Sequence, residues 1–313
     1  MKTRELGKTD IRVTEAGLGC GGHSRIGQSA GKSAKESADI VRRALAAGIN
    51  LVDTAEAYRT EDMVGMAIKG SPRDQVILST KGSIRVDGRL KDAAEMEQSL
   101  DASLARLGTD YVDIYHLHGV SSEDYAYCRQ ELAPAMAKWK RAGKIRLTGI
   151  TEAFSSDPGH RMLQRAVRDD CWDVMMVGFN FLNQSARKRV LQDALDKGIG
   201  ILDMFAVRRA LVSPEQLAGY MERLYASGQA DPARFDRTCP LAELLERGGY
   251  GSLTEVAYRF CLAEPGISCV LVGTGNPAHL AQNLADIAKG PLPERDRAVL
   301  ADLFALVDSE SGN

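Results

Sequence analysis

"YVDIYHLH" (111–118) is followed by "ELAPAMAKWKRAG" (131–143) and then by "IRLTGIT" (145–151). The first and last runs are short and rich in β-branched and aliphatic residues. The middle one carries apolar residues at helical spacing and stops on Gly143, as a helix C-terminus does. The three read as strand, helix, strand. Working outward, the same unit recurs. Towards the start, "EAGLG" (15–19) precedes "AKESADIVRRALAAG" (34–48), "INLVDT" (49–54) precedes "EDMVGMAIKG" (61–70), and "QVILSTK" (75–81) precedes "DAAEMEQSLDASLARLG" (92–108). Towards the end, "IRLTGIT" leads to "GHRMLQRAVRD" (159–169), "DVMMVGFN" (173–180) to "SARKRVLQDALDKG" (185–198), "GIGILDMF" (198–205) to helical material, and "ISCVLVG" (267–273) to "NPAHLAQNLADIAKG" (276–290). Regular alternation of this kind specifies a parallel sheet with helical crossovers, and eight units favour an α/β (β/α)8 TIM barrel over an open doubly wound sheet.

Two further features complete the expected fold. "TRELGKTDIRVT" (3–14) reads as an N-terminal β-hairpin capping the bottom of the barrel. Between strands 7 and 8 there is room for an inserted helix "SPEQLAGYMERLYASG" (213–228) and a loop "QADPARFDRTCP" (229–240), before the last crossover helix "SLTEVAYRFCLAE" (252–264). No linker or repeat divides the chain, so residues 1–313 read as one domain, with "SESGN" (309–313) expected to fray.

Composition bounds the function. The 313 residues are 44% hydrophobic and 26% charged, with a formal net charge of -2, which describes a soluble globular protein with no electrostatic case for nucleic acid or an anionic membrane. The N-terminus lacks an apolar signal region and no run is long enough to span a membrane, so a cytoplasmic location is expected. The cysteines at 20, 128, 171, 239, 261 and 269 form no CxxC pair and suit reduced thiols.

In a barrel the polar residues that close each strand meet at one mouth. Here these are Asp53, Lys81 and His118, with Tyr58 in the loop after strand 2. Taken singly, each has a bland reading: a helix cap for Asp53, a partly buried aromatic for Tyr58, a solvated end residue for Lys81. Together they form a proton-transfer site. A lysine ammonium beside a phenol favours the phenolate and should lower the tyrosine pKa, Asp53 would hold the lysine, and a histidine could polarise a substrate carbonyl. Such a site lacks an electron source, which implies a hydride carrier. Two rival enzymes share the barrel. His116 and His118 point to one face of a strand, the start of a metal-dependent hydrolase site, but His23, His160 and His279 do not extend that ligand set, so no metal is expected. A Schiff-base lyase on Lys81 leaves Tyr58 and His118 without roles. His116, one layer below His118, is expected to be neutral and structural, hydrogen-bonded to a neighbouring strand.

The stretches "LGKTDIRVTEAGLGCGG", "GINLVDTAEAYRTEDMVGMAIK", "VILSTKG", "SLARLGTDYVDIYHLHG", "GKIRLTGIT" and "VLVGTGNPAHLAQNL", in this order, resemble the aldo-keto reductase family over almost the whole chain. The resemblance implies catalysis by Asp53, Tyr58, Lys81 and His118 and an extended NAD(P)(H) on the barrel, and the "GIT" and "VLVG" wording is similar to its sugar and small-alcohol dehydrogenases. It places cofactor contacts at Gly21, Gly22, Asp53, Met204 or Phe205, Arg208, Gly275, Gln282 and Asn283. The family's Ser-Asn and Gln that hold the nicotinamide carboxamide are here Thr151, Glu152 and Met176, and the positions around the adenosine 2'-phosphate are Gly273, Thr274 and His279. The missing cations lean the chain towards NAD(H). His23, Tyr58, His118, Tyr125 and Phe154 are the substrate-facing candidates, and the polar loops suit a sugar, lactol or other hydrophilic aldehyde. A nicotinamide-binding barrel without catalysis, a sensor or subunit, is the alternative outside the enzymes. The oligomeric state cannot be read from the sequence.

Overall fold

The computed structural model describes residues 1–313. Eight parallel strands close into a barrel in chain order: β1 (Ala16–Gly19), β2 (Leu51–Asp53), β3 (Ile77–Ser83), β4 (Val112–Val120), β5 (Ile145–Glu152), β6 (Val174–Gly178), β7 (Gly200–Met204) and β8 (Ile267–Val272). Each pairs with its successor, and β8 returns to β1 through Val270 to Val272 against Ala16 to Leu18. This is the (β/α)8 barrel that the alternation specifies. No helix is long and apolar enough to cross a membrane.

Side chains alternate across the barrel wall. Outward residues such as Val52, Leu78, Tyr115 and Val177 join the helices in one large apolar cluster. Inward ones, among them Leu51, Ile77, Ile114, Leu147, Val174, Met176, Leu202 and Cys269, form a second cluster that also takes in Leu6, Ile11 and Val13. Those last three belong to the N-terminal hairpin, whose strands Thr3–Glu5 and Arg12–Thr14 pair antiparallel. The hairpin therefore plugs the lower end, and polar groups are left only the upper half. Crossover helices Ala34–Ala46 and Ala93–Leu107 start on reciprocal capping boxes, Ser33 with Glu36 and Asp92 with Glu95.

Three segments depart from the sequence reading. After β3, Arg85–Val86 and Arg89–Leu90 form a small hairpin around Asp87 and Gly88, both at positive φ; Asp-Gly is a strong signal for such a turn. The inserted helix forms as Pro214–Ala226, and a further helix, Ala242–Gly248, follows the 229–240 loop. Residues 309–313 do not fray. Asn183 Nδ2 donates to the Glu310 carbonyl, Gly312 N to the Tyr220 hydroxyl, and Ala210 N to the Gly312 carbonyl, so Ser311 and Gly312 are buried. A polar tail with no apolar anchor is thus docked through its backbone.

His116 lies inside the barrel, opposite Lys81 on one side and Gly149 on the other. It is fully buried; the Ile150 backbone of neighbouring β5 supports its ring, although neither ring nitrogen makes a well-formed hydrogen bond. A Cβ on Gly149 would lie 2.2 Å from His116 Nδ1, so glycine at this strand position makes the room the imidazole occupies. Gly149→Ala should therefore destabilise the protein by about 1–3 kcal/mol through overpacking. His116→Ala in the same chain should relieve most of that loss. Strictly additive melting shifts in the double variant would remove this account.

Candidate active site

The upper ends of β2, β3 and β4 bring four groups together. Asp53 closes β2 directly opposite Ser79 of β3, and Lys81 stands two residues further along the same inward face. Lys81 Nζ donates to Asp53 Oδ2 at 2.6 Å and to the Thr54 carbonyl at 2.8 Å, while the Ser79 hydroxyl donates to Asp53 Oδ1 at 2.7 Å. Lys81 is wholly inaccessible. Such a charge is tolerable only because its donors are spent on these acceptors. Tyr58 comes over the pair from a short 3-10 turn, Glu56–Tyr58, that ends on Arg59 in the left-handed conformation. Its ring lies against Gly21, where a Cβ would be 2.3 Å from Cε2, with Lys81 Nζ 4.8 Å from the ring centre. The Tyr58 hydroxyl is 3.4 Å from His118 Nε2, and the two rings meet edge to face.

The charge states follow from burial and from Lys81. Burial works against the Lys81 ammonium, but Asp53 and Tyr58 hold its pKa above the ordinary lysine value, which keeps the contact with Asp53 an ion pair. Burial and then the Lys81 charge push His118 down to about 3. The same two causes, with His118 added, hold His116 well below the ordinary histidine value. Both imidazoles are therefore neutral near neutral pH. Tyr58 corrects the sequence reading: burial raises its phenol above the usual value, and the opposing pull of Lys81 does not reverse this. The site holds a protonated tyrosine, not a ready phenolate.

The other sequence candidates divide into three groups. Gly22 and His23 are exposed above β1, and Gly273, at the end of β8, has no side chain between it and solvent. Gly275 packs on Gly27, where a Cβ would come within 2.3 Å of the Gly27 Cα. Thr274 Oγ1 accepts from Asn276 N, His279 is exposed, Asn283 is half-buried, and Gln282 is tied to Asp286 on the helix surface. Around β5 to β7 the picture differs. Thr151 Oγ1 accepts the Gly119 N–H at 2.7 Å, which leaves its own O–H to donate. Met176 belongs to the apolar barrel interior, with Met204 against it. Phe205 follows β7 at φ 71.

Three of the expected contact residues are buried and packed against the protein itself. Glu152 offers no oxygen to a ligand: it is buried, Oε1 accepts from Gly178 N at 2.8 Å, and both oxygens face His160 Nδ1 at 3.0 and 2.9 Å. Phe154 is buried at the edge of the mouth, over Gly178, with its ring stacked against His160 at 5.3 Å and Phe205 at 6.1 Å. Tyr125 turns inward, its hydroxyl donating to Asp169 and accepting from Trp172 Nε1. Conversely, the sequence reading omitted Ser79, although its place two residues before Lys81 puts it on the same face. It gave His160 no partner, because nothing local signals a contact with Glu152. No group of three or more His, Cys, Asp or Glu side chains could hold a metal ion.

The likeness to known proteins runs over the whole chain. Residues 17–303 match the Aldo/keto reductase family. The L-galactose dehydrogenase of Arabidopsis thaliana is 29% identical across 98% of this chain and 95% of its own length. The NADH-specific methylglyoxal reductase of Escherichia coli is 28% identical across 91% of this chain and 93% of its own. An aldo-keto reductase of Bacillus halodurans, in its holo form, superposes with a TM-score of 0.76 at 25% identity, covering 97% of this chain and 96% of that one. A closed eight-stranded barrel, a family match over nearly all of it and full-length relatives agree: the chain belongs to the aldo/keto reductase family of nicotinamide-dependent oxidoreductases acting on carbonyl and alcohol groups.

Proposed function

We propose that the chain interconverts a polar aldehyde, sugar or lactol with its oxidised or reduced partner, with Tyr58 as the group that moves the proton. The carrying observation is the Tyr58 hydroxyl, set between the buried Lys81–Asp53 pair and neutral His118. These four side chains transfer protons and polarise oxygens; a bound NAD(P)(H) supplies or takes the hydride. The exposed Gly273 and the remaining Thr151 O–H are suited to hold such a cofactor, and Glu152 is not.

The roles follow from the charge states. In the reducing direction Tyr58 gives its proton to the developing alkoxide, and the phenolate left behind is stabilised by Lys81, whose charge Asp53 fixes in place. His118, being neutral, donates a hydrogen bond through Nε2–H to the same oxygen and does not supply the proton. Oxidation runs these steps backwards. Relatives named for L-galactose and for methylglyoxal support a small hydrophilic carbonyl, and the word NADH in the second agrees with the absence of cations at Gly273 and Thr274. The commitment of Glu152 to His160 favours a second reading, a nicotinamide-binding barrel without turnover.

Titration with NADH and NADPH, followed by a panel of aldoses and small aldehydes, separates the two readings. NADH should bind the more tightly and support turnover; binding without turnover on any member would favour the sensor. Tyr58→Phe should lower turnover by about 10²- to 10⁴-fold while cofactor affinity changes by less than about twofold. Retention of most of the activity would remove Tyr58 from the proton step. The pH dependence has a definite sign. Reduction needs the protonated phenol, whose pKa is raised, so kcat/KM for reduction should stay level from about pH 6 to pH 9 and fall only as pH rises through the tyrosine value. An inflection near the ordinary histidine value would instead give the proton to His118.

A further inference from the structure

The loops above β1 and β2 hold their backbone in a conformation that side chains avoid. Six residues other than glycine have positive φ, and three of them stand here: Arg25 at φ 43, Ile26 at φ 50 and Arg59 at φ 57. Such geometry persists where the surroundings over-determine it, and it gathers at functional sites. Here the surroundings do fix it. Ile26 is fully buried. Gln28 Nε2 donates to the Arg59 carbonyl at 3.1 Å and so ties the two loops together, while the hydroxyl of fully buried Thr60 meets that of Thr54 at 2.8 Å. Both arginines adjoin Tyr58. Arg59 follows it in the chain, and Arg25 N donates at 3.3 Å to the carbonyl of Gly21, the residue against which the Tyr58 ring lies.

These two side chains are exposed, and neither guanidinium has an ion pair or a hydrogen bond within the protein. The carboxylates nearest to them in sequence are engaged elsewhere: Glu56 faces Lys91 at 3.5 Å, and buried Glu61 pairs with Arg106. Asp62, exposed on the first turn of the following helix, pairs with neither arginine. Residues 20–33, "CGGHSRIGQSAGKS", add His23 and Lys32 and contain no acid. Arg208, at the same end of the barrel, is by contrast buried over Phe205 with Nη2 on the Ser155 and Ser311 hydroxyls. A free cation thus stands at a position where glycine would relax the backbone, beside the group that moves the proton. We infer that Arg59 and Arg25 are specificity-determining charges of this site and select a carbonyl substrate that bears a carboxylate or a phosphate. The inference rests on the oxidoreductase reading above for its chemistry and names the substrate class, an acidic sugar or another anionic aldehyde. Its anion takes charge-assisted bonds from the rim while its carbonyl meets Tyr58. Neighbouring Cα atoms are about 3.8 Å apart, a separation that the carbon chain of a small sugar covers.

The test compares glucose, glucuronate and glucose 6-phosphate on the full chain, three lactols that differ only at the sixth carbon. The wild type should favour one of the anionic sugars over glucose by about 10-fold or more in kcat/KM, and Arg59→Gln, with Arg25→Gln to a lesser degree, should reduce that preference through KM and not through kcat. The anion that is preferred assigns the group, carboxylate or phosphate. A preference for glucose, or an anion preference unchanged in Arg59→Gln, would overturn the inference. Affinity for NADH should change by less than about twofold; a loss as large as that for the anionic sugar would give the arginines to the cofactor and overturn it too. Arg59→Gly separates recognition from folding, because relief of the left-handed backbone should leave the melting temperature at or above that of the wild type while the anion preference is lost. A lower melting temperature with the preference intact would mark a structural arginine and again overturn the inference. If no carbonyl is turned over, melting shifts replace rates: an anionic sugar should raise the melting temperature of the wild type and not that of Arg59→Gln, and glucose should raise neither. That result fails the oxidoreductase reading and leaves the anion site standing, whereas the lack of any Arg59-dependent shift would overturn both.

Discussion

The Lys81–Asp53 ion pair is the constraint on which the site is built. Its side chains are 0% and 4% exposed, and stripping each charge of water costs several kcal/mol unless every donor and acceptor is met. The fold meets them through register. Asp53 lies opposite Ser79, Lys81 stands one inward position above Ser79, and the Thr54 carbonyl takes a second ammonium proton. A slip of one residue between β2 and β3 would turn Lys81 into the helix layer and leave Asp53 charged and alone. The closed barrel, capped below by Leu6, Ile11 and Val13, makes that register unique and leaves the polar groups one direction in which to face.

From that pair the rest of the electrostatics follows. Burial, and after it the Lys81 charge, disfavours a second cation close by, so His116 and His118 are both held neutral, and the two imidazoles do different things for reasons of depth. His118, half-buried at the rim, reaches Tyr58. His116, one layer down, is packed against β5 and occupies the volume Gly149 vacates. Burial and charge compete at Tyr58 and burial prevails, which leaves the hydroxyl protonated until a reaction demands otherwise.

Period and position made much of this legible. All eight strands fall where β-branched runs precede helical ones, and Asp53, Lys81 and His118 were found because barrel strands end at a common mouth. What could not be read depends on contacts with no local signature. Tyr125 follows β4 closely enough to suggest the mouth, but the short helix Tyr125–Tyr127 turns it towards Trp172 and Asp169. Glu152 and His160 meet because His160 adopts φ 60, an unusual conformation for a histidine. Residues 309–313 have no apolar anchor; Asn183, Tyr220 and Ala210, far away in sequence, hold them.

The Glu152–His160 pair also changes how the β5–β6 side of the mouth can recognise a ligand. The ladder between these strands ends at Thr151 and Met176, and the Glu152 carboxylate takes over by accepting the Gly178 N–H. Phe154 then fills the space above Gly178, which only glycine leaves open, and His160 and Phe205 flank its ring. A carboxylate, an imidazole and two phenyl rings so interlocked have no polar atom left to turn outward except the unbonded and buried His160 Nε2. In the proposed oxidoreductase, recognition at this edge would therefore fall to the Thr151 hydroxyl and to shape, with the ring stack setting the shape. Loss of an amide clamp need not mean loss of orientation, because a wall that cannot move discriminates by exclusion where a hydrogen bond would discriminate by attraction.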